Sequence, residues 1–207
     1  MCGRYIVINP VSKTKGLVKS AIQVDDNENY NAHPYQQLPI IKKYTNGYTL
    51  EKLKWGIIPS WSQKKDFKPL INSRLETIDE KISFKKLIKL KRCIAVADGF
   101  YEWERAEKEK KPYLFKREDK KTIFFAAIYD EKGFSLITEQ ASENILQIHH
   151  RQPVILNQKD IKSYLDLQLD GSSFLKETKK PRLQFYQVSK DVNKPTNNSI
   201  SLIQPVN

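Results

Sequence analysis

Between residues 92 and 140, five short apolar runs follow one another with no room for a helix between them: RCIAVADG, FYEWER, PYLFKRE, TIFFAAIYD and FSLITE. Polar stretches such as AEKEKK and REDKK separate several of them. Parallel strands need a crossover of about a dozen residues or more, so strands this closely spaced are expected to pair antiparallel. CGRYIVI, LPIIKKY, YTLEKLKWG, RLQFYQVS and SLIQPV also read as strands. The second and third of these meet at Thr45-Asn46-Gly47, a hairpin turn signal. Helices are expected in KTKGLVKSAIQV, in SENILQIHH behind a Ser142 N-cap, and in NQKDIKSYLDL. A further helix is expected in TIDEKISFKKLIKL, where Ile78, Ile82 and Leu87 recur near helical spacing. Many short strands, few helices and no βαβ alternation predict an α+β fold around antiparallel sheets. No internal repeat, low-complexity stretch or linker rich in Gly, Ser or Pro divides the 207 residues, which fit one domain over 1–207.

Composition narrows the setting. Hydrophobic residues make up 39% of the chain and aromatics 11%, enough to build a core and too much for a disordered chain. No apolar run approaches membrane-spanning length, and the N-terminus lacks the basic-then-apolar pattern of a secretion signal. No membrane partner is expected. The two cysteines, Cys2 and Cys93, form no disulfide framework and no zinc-ligand spacing, which fits reduced thiols in the cytoplasm. The formal net charge of +12 suits a polyanionic partner such as nucleic acid. Most of the cations are lysines in runs such as KKLIKLKR and KETKK, which are ordinarily solvated faces, so the scarcer arginines are more informative. Arg4, Arg74 and Arg151 each lie in a cluster of polar residues.

The first cluster, MCGRY, places a cysteine directly after Met1. With Met1 removed, Cys2 would carry an α-amine and a thiol on neighbouring carbons, a pair that no internal cysteine offers. The alternative is a small residue that begins a strand. In ADGFYEWE, Asp98-Gly99 would make a turn, and Glu102 lies between Tyr101 and Trp103. A carboxylate desolvated by aromatic neighbours has its pKa raised toward the range useful for proton transfer, whereas an exposed edge-strand Glu is what charge alone favours. In QIHHRQP, His149 and His150 point to different helical faces, so at most one faces a given site, as a proton shuttle or as a structural residue. In INSRLET, Asn72 and Arg74 share one face of an extended segment. There Asn donates and accepts and Arg presents a fork for phosphate, the alternative being a polar loop with a cap at Thr77. Trp55 and Trp61 flank GIIPS. Aromatic rings stack on bases in single-strand binders, but a Trp is more often core, and Trp55 is assigned there.

In their order along the chain these clusters resemble the signatures of the SRAP family, the SOS-response-associated-peptidase or abasic-site-processing proteins. MCGRY resembles the family's N-terminal Met-Cys-Gly-Arg, YNAHP its Asn-x-x-Pro segment and WGIIPSW its Trp-Gly-x-x-Pro-x-Trp. INSRLET is similar to Asn-Ala-Arg-x-Glu-Thr, and IHHRQPVIL to Ile-His-x-Arg-Met-Pro-Val-Ile-Leu. RCIAVADGFYEW is similar to Arg-Cys-x-x-Pro-x-x-Gly-Phe-Tyr-Glu-Trp, and VSKDVNK and LIQPV match C-terminal signatures. The resemblance covers nearly the whole chain. Departures are the missing proline before Asp98-Gly99, Gln152 in place of the usual Met, and His33 where a small residue is common.

The resemblance implies a single SRAP-type α+β domain built on twisted antiparallel β-sheets, with a barrel-like core and a few flanking helices. It implies a monomer that binds single-stranded DNA containing abasic sites, in the cytoplasm and at the nucleoid during DNA damage, with no metal or organic cofactor. Cys2, freed of Met1, would condense with the ring-opened abasic sugar to an imine, which its thiol closes to a thiazolidine. Glu102 would assist ring opening and proton transfer, His149 would act as general acid and base, and Asn72 would orient Cys2 or the opened sugar. Arg4, Arg74 and Arg151 would contact phosphate, Asn31 would line the site, and Trp61 would prop bases apart at a junction. Elimination from the same imine would give weak strand-cleaving lyase activity. The family's older name implies an alternative, a cysteine peptidase that uses Cys2 with His149 and Glu102 or Asn72 and removes its own Met1. A third option is a non-covalent nucleic-acid binder with a structural Cys2.

Overall fold

The computed structural model describes residues 2–62, 66–105 and 110–206. Met1 and most of the AEKEKK turn lie outside the described residues. In chain order the first elements are β1 (Arg4–Ile8), α1 (Pro10–Thr14), β2 (Ser20–Ile22), β3 (Glu28–Ala32), β4 (Gln37–Tyr44), β5 (Gly47–Lys54) and β6 (Asn72–Arg74). Then come α2 (Lys85–Leu90), β7 (Arg92–Ala97), β8 (Gly99–Arg105), β9 (Lys110–Arg117), β10 (Ile123–Tyr129) and β11 (Phe134–Gln140). The last third holds α3 (Glu143–Leu146), β12 (Arg151–Pro153), β13 (Ile155–Leu156), α4 (Ile161–Tyr164), α5 (Gly171–Glu177) and β14 (Leu183–Gln187).

The five runs between 92 and 140 are β7 to β11, but they divide between two sheets. The smaller, all antiparallel, has the order β14-β9-β8-β1-β3. The larger has the order β12-β11-β10-β7-β4-β5-β2, with β13 beside β10 and β6 beside β11. The chain crosses from one sheet to the other at Asp98-Gly99. There Asp98 Oδ2 accepts from Ile8 N at 2.7 Å, and a Cβ on Gly99 would lie 2.9 Å from Phe115 O. Only glycine fits that approach.

The architecture is α+β, and the sheets are mainly antiparallel. Both are open, so no closed barrel forms in place of the expected barrel-like core. Alternation along each strand sorts side chains into three layers. Tyr5, Phe100, Phe115, Trp55, Phe125 and Phe134 fill the gap between the sheets. The Phe100 and Phe115 rings stack at 5.0 Å and Tyr5 tilts against Trp55 at 4.9 Å, which keeps this gap dry. Behind the larger sheet, Ile88, Tyr164 and Leu175 of the helices cover Ile94, Phe124 and Ala126. Behind the smaller sheet, Val188, Val192 and Leu202 of the C-terminal segment cover Ile6, Tyr101 and Leu114.

Several local expectations fail for identifiable reasons. The helix expected in KTKGLVKSAIQV starts earlier, with Pro10 at its first turn, and Ser20–Ile22 pairs parallel with Thr49–Glu51 as an edge strand. In TIDEKISFKKLIKL only Lys85–Leu90 is α-helical; Ile82 is 71% exposed and belongs to no apolar face. SLIQPV is a 3-10 turn at Ile200–Ile203, and Pro205 contributes a single bridge to Val188. Ser142 does precede α3, but its side chain makes no cap bond; its backbone N–H donates to Gln152 Oε1 at 2.9 Å. The Thr45-Asn46 hairpin turn is present, with Tyr44 opposite Gly47.

Candidate active site

The site begins with β1, which runs between β8 and β3. Arg4 pairs with Tyr101 and Tyr5 with Phe100. Arg4 and Ile6 therefore face outward, while Cys2, Tyr5 and Val7 join the layer between the sheets. Cys2 is fully buried, and its Sγ lies 3.8 Å from Arg4 O. Burial pushes its thiol far above the ordinary value of 9.0, and the negative charge of Glu102 pushes it further. The thiol is therefore protonated at neutral pH.

Asn72 reaches Cys2 through a strand pairing that the sequence did not announce. β6 lies parallel to β11, with Asn72 opposite Leu136 and Arg74 opposite Thr138. From there Asn72 Nδ2 donates to Cys2 O at 2.9 Å. Its Oδ1 is buried and has no hydrogen-bond partner among the described residues. A buried amide oxygen in that state is an acceptor waiting for a donor.

Glu102 is 2% exposed, not the exposed edge residue that charge alone favours. The reason is topological: β8 is an interior strand, flanked by β9 and β1, and Glu102 shares the inward face of Phe100. His149 follows α3, is buried, and brings Nδ1 to 3.9 Å from Glu102 Oε2. Arg151 N donates to the same Nδ1 at 3.1 Å, and Arg151 O lies 3.0 Å from it. These two contacts suit opposite protonation states: an unprotonated Nδ1 accepts from the N–H, and a protonated one donates to the carbonyl. Nδ1 of His149 thus has a local partner whether or not it carries a proton. His150 is exposed, with its ring tilted against that of His149 at 4.5 Å, so only one of the pair enters the site.

The remaining candidates divide. Arg4 donates to Asn31 Oδ1 at 2.7 Å and to Val192 O at 2.8 Å. Asn31 is itself buried, and its Nδ2 lies 3.2, 3.1 and 3.0 Å from the carbonyls of Val192, Lys194 and Asn197. Together they clamp the C-terminal segment. Arg151 forks onto Glu76 at 2.7 and 3.0 Å and donates to Thr138 O at 2.7 Å. Glu76 stays ionised, its pKa lowered by Arg151 against the opposing effect of partial burial. Arg74 is exposed and makes no ion pair among the described residues. Trp61 is 55% exposed, edge-on to Phe67 at 5.9 Å, in a hollow of about 290 Å³ shared with Ile58, Ile82 and Leu90. Trp55 is core, as expected, and its Nε1 donates to Ile71 O at 2.9 Å.

The sequence reading missed Glu76 and Thr138. Glu76 stands in the same INSRLET cluster as Arg74, so an acidic partner for an arginine was present in plain view. No group of three His, Cys, Asp or Glu side chains suited to a metal ion occurs among the described residues.

The family profile of SOS response associated peptidase (SRAP) matches residues 1–195. The chain belongs to the SRAP family. This SRAP protein is 33% identical over 223 aligned positions, 99% of each chain, to the abasic site processing protein YoqW of Bacillus subtilis. It is 36% identical over 226 positions to YoaM of the same organism, also named an abasic site processing protein, covering 100% of this chain and 99% of that one. Among solved structures, a protein from Bacteroides thetaiotaomicron matches with a TM-score of 0.85 and 25% identity, over 99% of this chain and 100% of that one.

Proposed function

We propose that this SRAP protein processes abasic sites in DNA by bonding covalently to them through Cys2. The observation that carries the proposal is the convergence on one residue of an Asn72 bond to Cys2 O and a buried Glu102–His149 pair. An abasic site is a sugar with a masked aldehyde. Once Met1 is gone, the α-amine of Cys2 adds to the opened aldehyde and water leaves, giving an imine. The thiol then adds its sulfur to the imine carbon, its proton passes to the nitrogen, and a five-membered thiazolidine closes. The second step is intramolecular, because both nucleophiles belong to one residue.

The amine acts first, because the thiol of the same residue then adds to the carbon that the imine supplies. Glu102 and His149 relay the protons that ring opening, water loss and thiol addition require. The unpartnered Asn72 Oδ1 accepts from an incoming amine or sugar hydroxyl. Arg74 and Trp61 offer an exposed cation and an exposed ring to a single strand, whereas Arg4, Asn31 and Arg151 act by shaping the site. The imine also permits β-elimination, and hence weak lyase activity. The cytoplasm and nucleoid are the setting such a substrate implies, and a monomer suffices for the chemistry.

The peptidase reading needs only the thiol; the thiazolidine needs the amine as well. Intact mass with and without an abasic oligonucleotide tests both at once. The expected result is a chain lacking Met1 that gains the mass of the oligonucleotide less water. A variant with one residue retained before Cys2 should give no adduct. Normal adduct formation by that blocked chain would overturn the mechanism.

A further inference from the structure

For a chain with a net charge of +12, the candidate active site holds few open cations besides Arg74, because Arg4 and the terminal nitrogens of Arg151 donate to internal acceptors. A cluster of open cations lies instead at the far end of the smaller sheet, where β9 turns into β10. Two hollows of about 510 and 410 Å³ flank this turn and share Arg117, Lys120 and Lys121 as walls. The first adds Lys159 and Asn157, the second Lys13 and Lys116.

The floor of this double hollow is fixed. Arg117 is 5% exposed and forks onto Asp119 at 2.8 and 2.7 Å while reaching Asn157 Oδ1 at 3.1 Å. Lys13 is paired with Asp98, and Lys121 lies 3.9 Å from Asp119. Lys116, Lys120 and Lys159 make no ion pair among the described residues. Lys120 also has φ 57, the left-handed region where glycine or asparagine is the easy choice. A lysine held there against its backbone preference places an ammonium on the ridge between the hollows.

We propose that this double hollow is a second, non-covalent contact for DNA, binding backbone phosphates remote from Cys2. The proposal rests on the reading that the partner is DNA with an abasic site. β1 leads from the Cys2 end of the sheet to Ile8, in the wall of the second hollow. Six strand steps of about 3.3 Å separate Cys2 from Ile8, so the contacts lie about 20 Å apart. At the duplex rise of about 3.4 Å per nucleotide a strand covers that span in about six, and a more extended single strand in fewer. The hollows are concave, and no large exposed hydrophobic side chain projects from their mixed polar and apolar walls, which suits a strand lying in them and not a lipid surface, whose binding needs apolar insertion.

The test is equilibrium binding of undamaged single-stranded DNA, by fluorescence anisotropy across a salt series. Two probes are used, one too short to span 20 Å and one several times longer. A K120Q/K121Q/K159Q variant should lose affinity for the long probe only. Each phosphate contact on a single strand contributes about 0.7 to the salt slope, so the slope should fall by about 2. Lys120→Gly separates charge from folding: it should raise the melting temperature by relieving the backbone while still weakening long-probe binding. An unchanged slope, an equal loss on both probes, or preference for anionic vesicles over DNA overturns the proposal. Adduct formation on a short abasic probe should be the same in the triple variant and in wild type. If wild type forms no adduct, the Cys2 mechanism fails, and the anisotropy data still decide the second contact.

Discussion

Cys2 and Cys93 are equally buried, and burial drives both thiols far above the ordinary value of 9.0. Their surroundings differ. Cys93 lies on β7 in the middle of the larger sheet, opposite Ala127, with the Lys42–Glu51 ion pair as its charged influence among the described residues. Cys2 has Asn72 on its carbonyl and Glu102 close enough to raise its pKa, with His149 behind Glu102. A perturbed thiol is thus no mark of chemistry by itself. Polar groups held in a dry space beside it are the better mark, because each is costly to bury without a use.

The largest expected effect breaks the comparison outright. Cys2→Ala should abolish the denaturation-resistant adduct on an abasic oligonucleotide, read on a denaturing gel. Cys93→Ala should form it normally and lose only roughly 0.5–3 kcal/mol of stability. Adduct loss in the second variant alone would reverse the assignment.

Next in size is the proton relay. Glu102→Gln should slow adduct formation by roughly 10²- to 10⁴-fold, the usual contribution of a positioned acid or base. Affinity for undamaged DNA should not change. If affinity falls in step with rate, Glu102 is a structural residue.

The smallest effect concerns what the two thiols share. Their folded pKa values are raised, so the unfolded chain releases these protons first. Stability from this source is complete below 9.0 and falls as pH rises toward the folded values. Between pH 9 and 10, as the unfolded thiols go from half to mostly ionised, each thiol should lower the unfolding free energy by about 1 kcal/mol. Urea melts of Cys2→Ala and Cys93→Ala in that window should each show a slope shallower by one such share.

The strand-rich centre was legible in the sequence because its alternation and turn residues are local. Glu102 was not, because its burial depends on β8 lying between β9 and β1, and β1 is a strand some ninety residues earlier. The internal partners of the arginines were hidden for the same reason. Arg4 meets Val192 across 188 residues, and Arg151 meets Glu76 across 75. Acceptors that far away in sequence leave no local trace. Ile82 misled in the opposite sense: helical spacing was present, but the helix begins only at Lys85.

The Arg4 bond to Val192 also sets a clock. Ribosomes add about 5–20 residues per second, so about 10–40 s pass between the synthesis of Arg4 and that of its acceptor. Once the start of the chain has cleared the ribosomal exit tunnel, its enclosure is still unfinished for the rest of that interval. Cys2 can be reached until then, and folding afterwards seals it away. Faster translation would narrow the interval in which the start of the chain is open to other molecules.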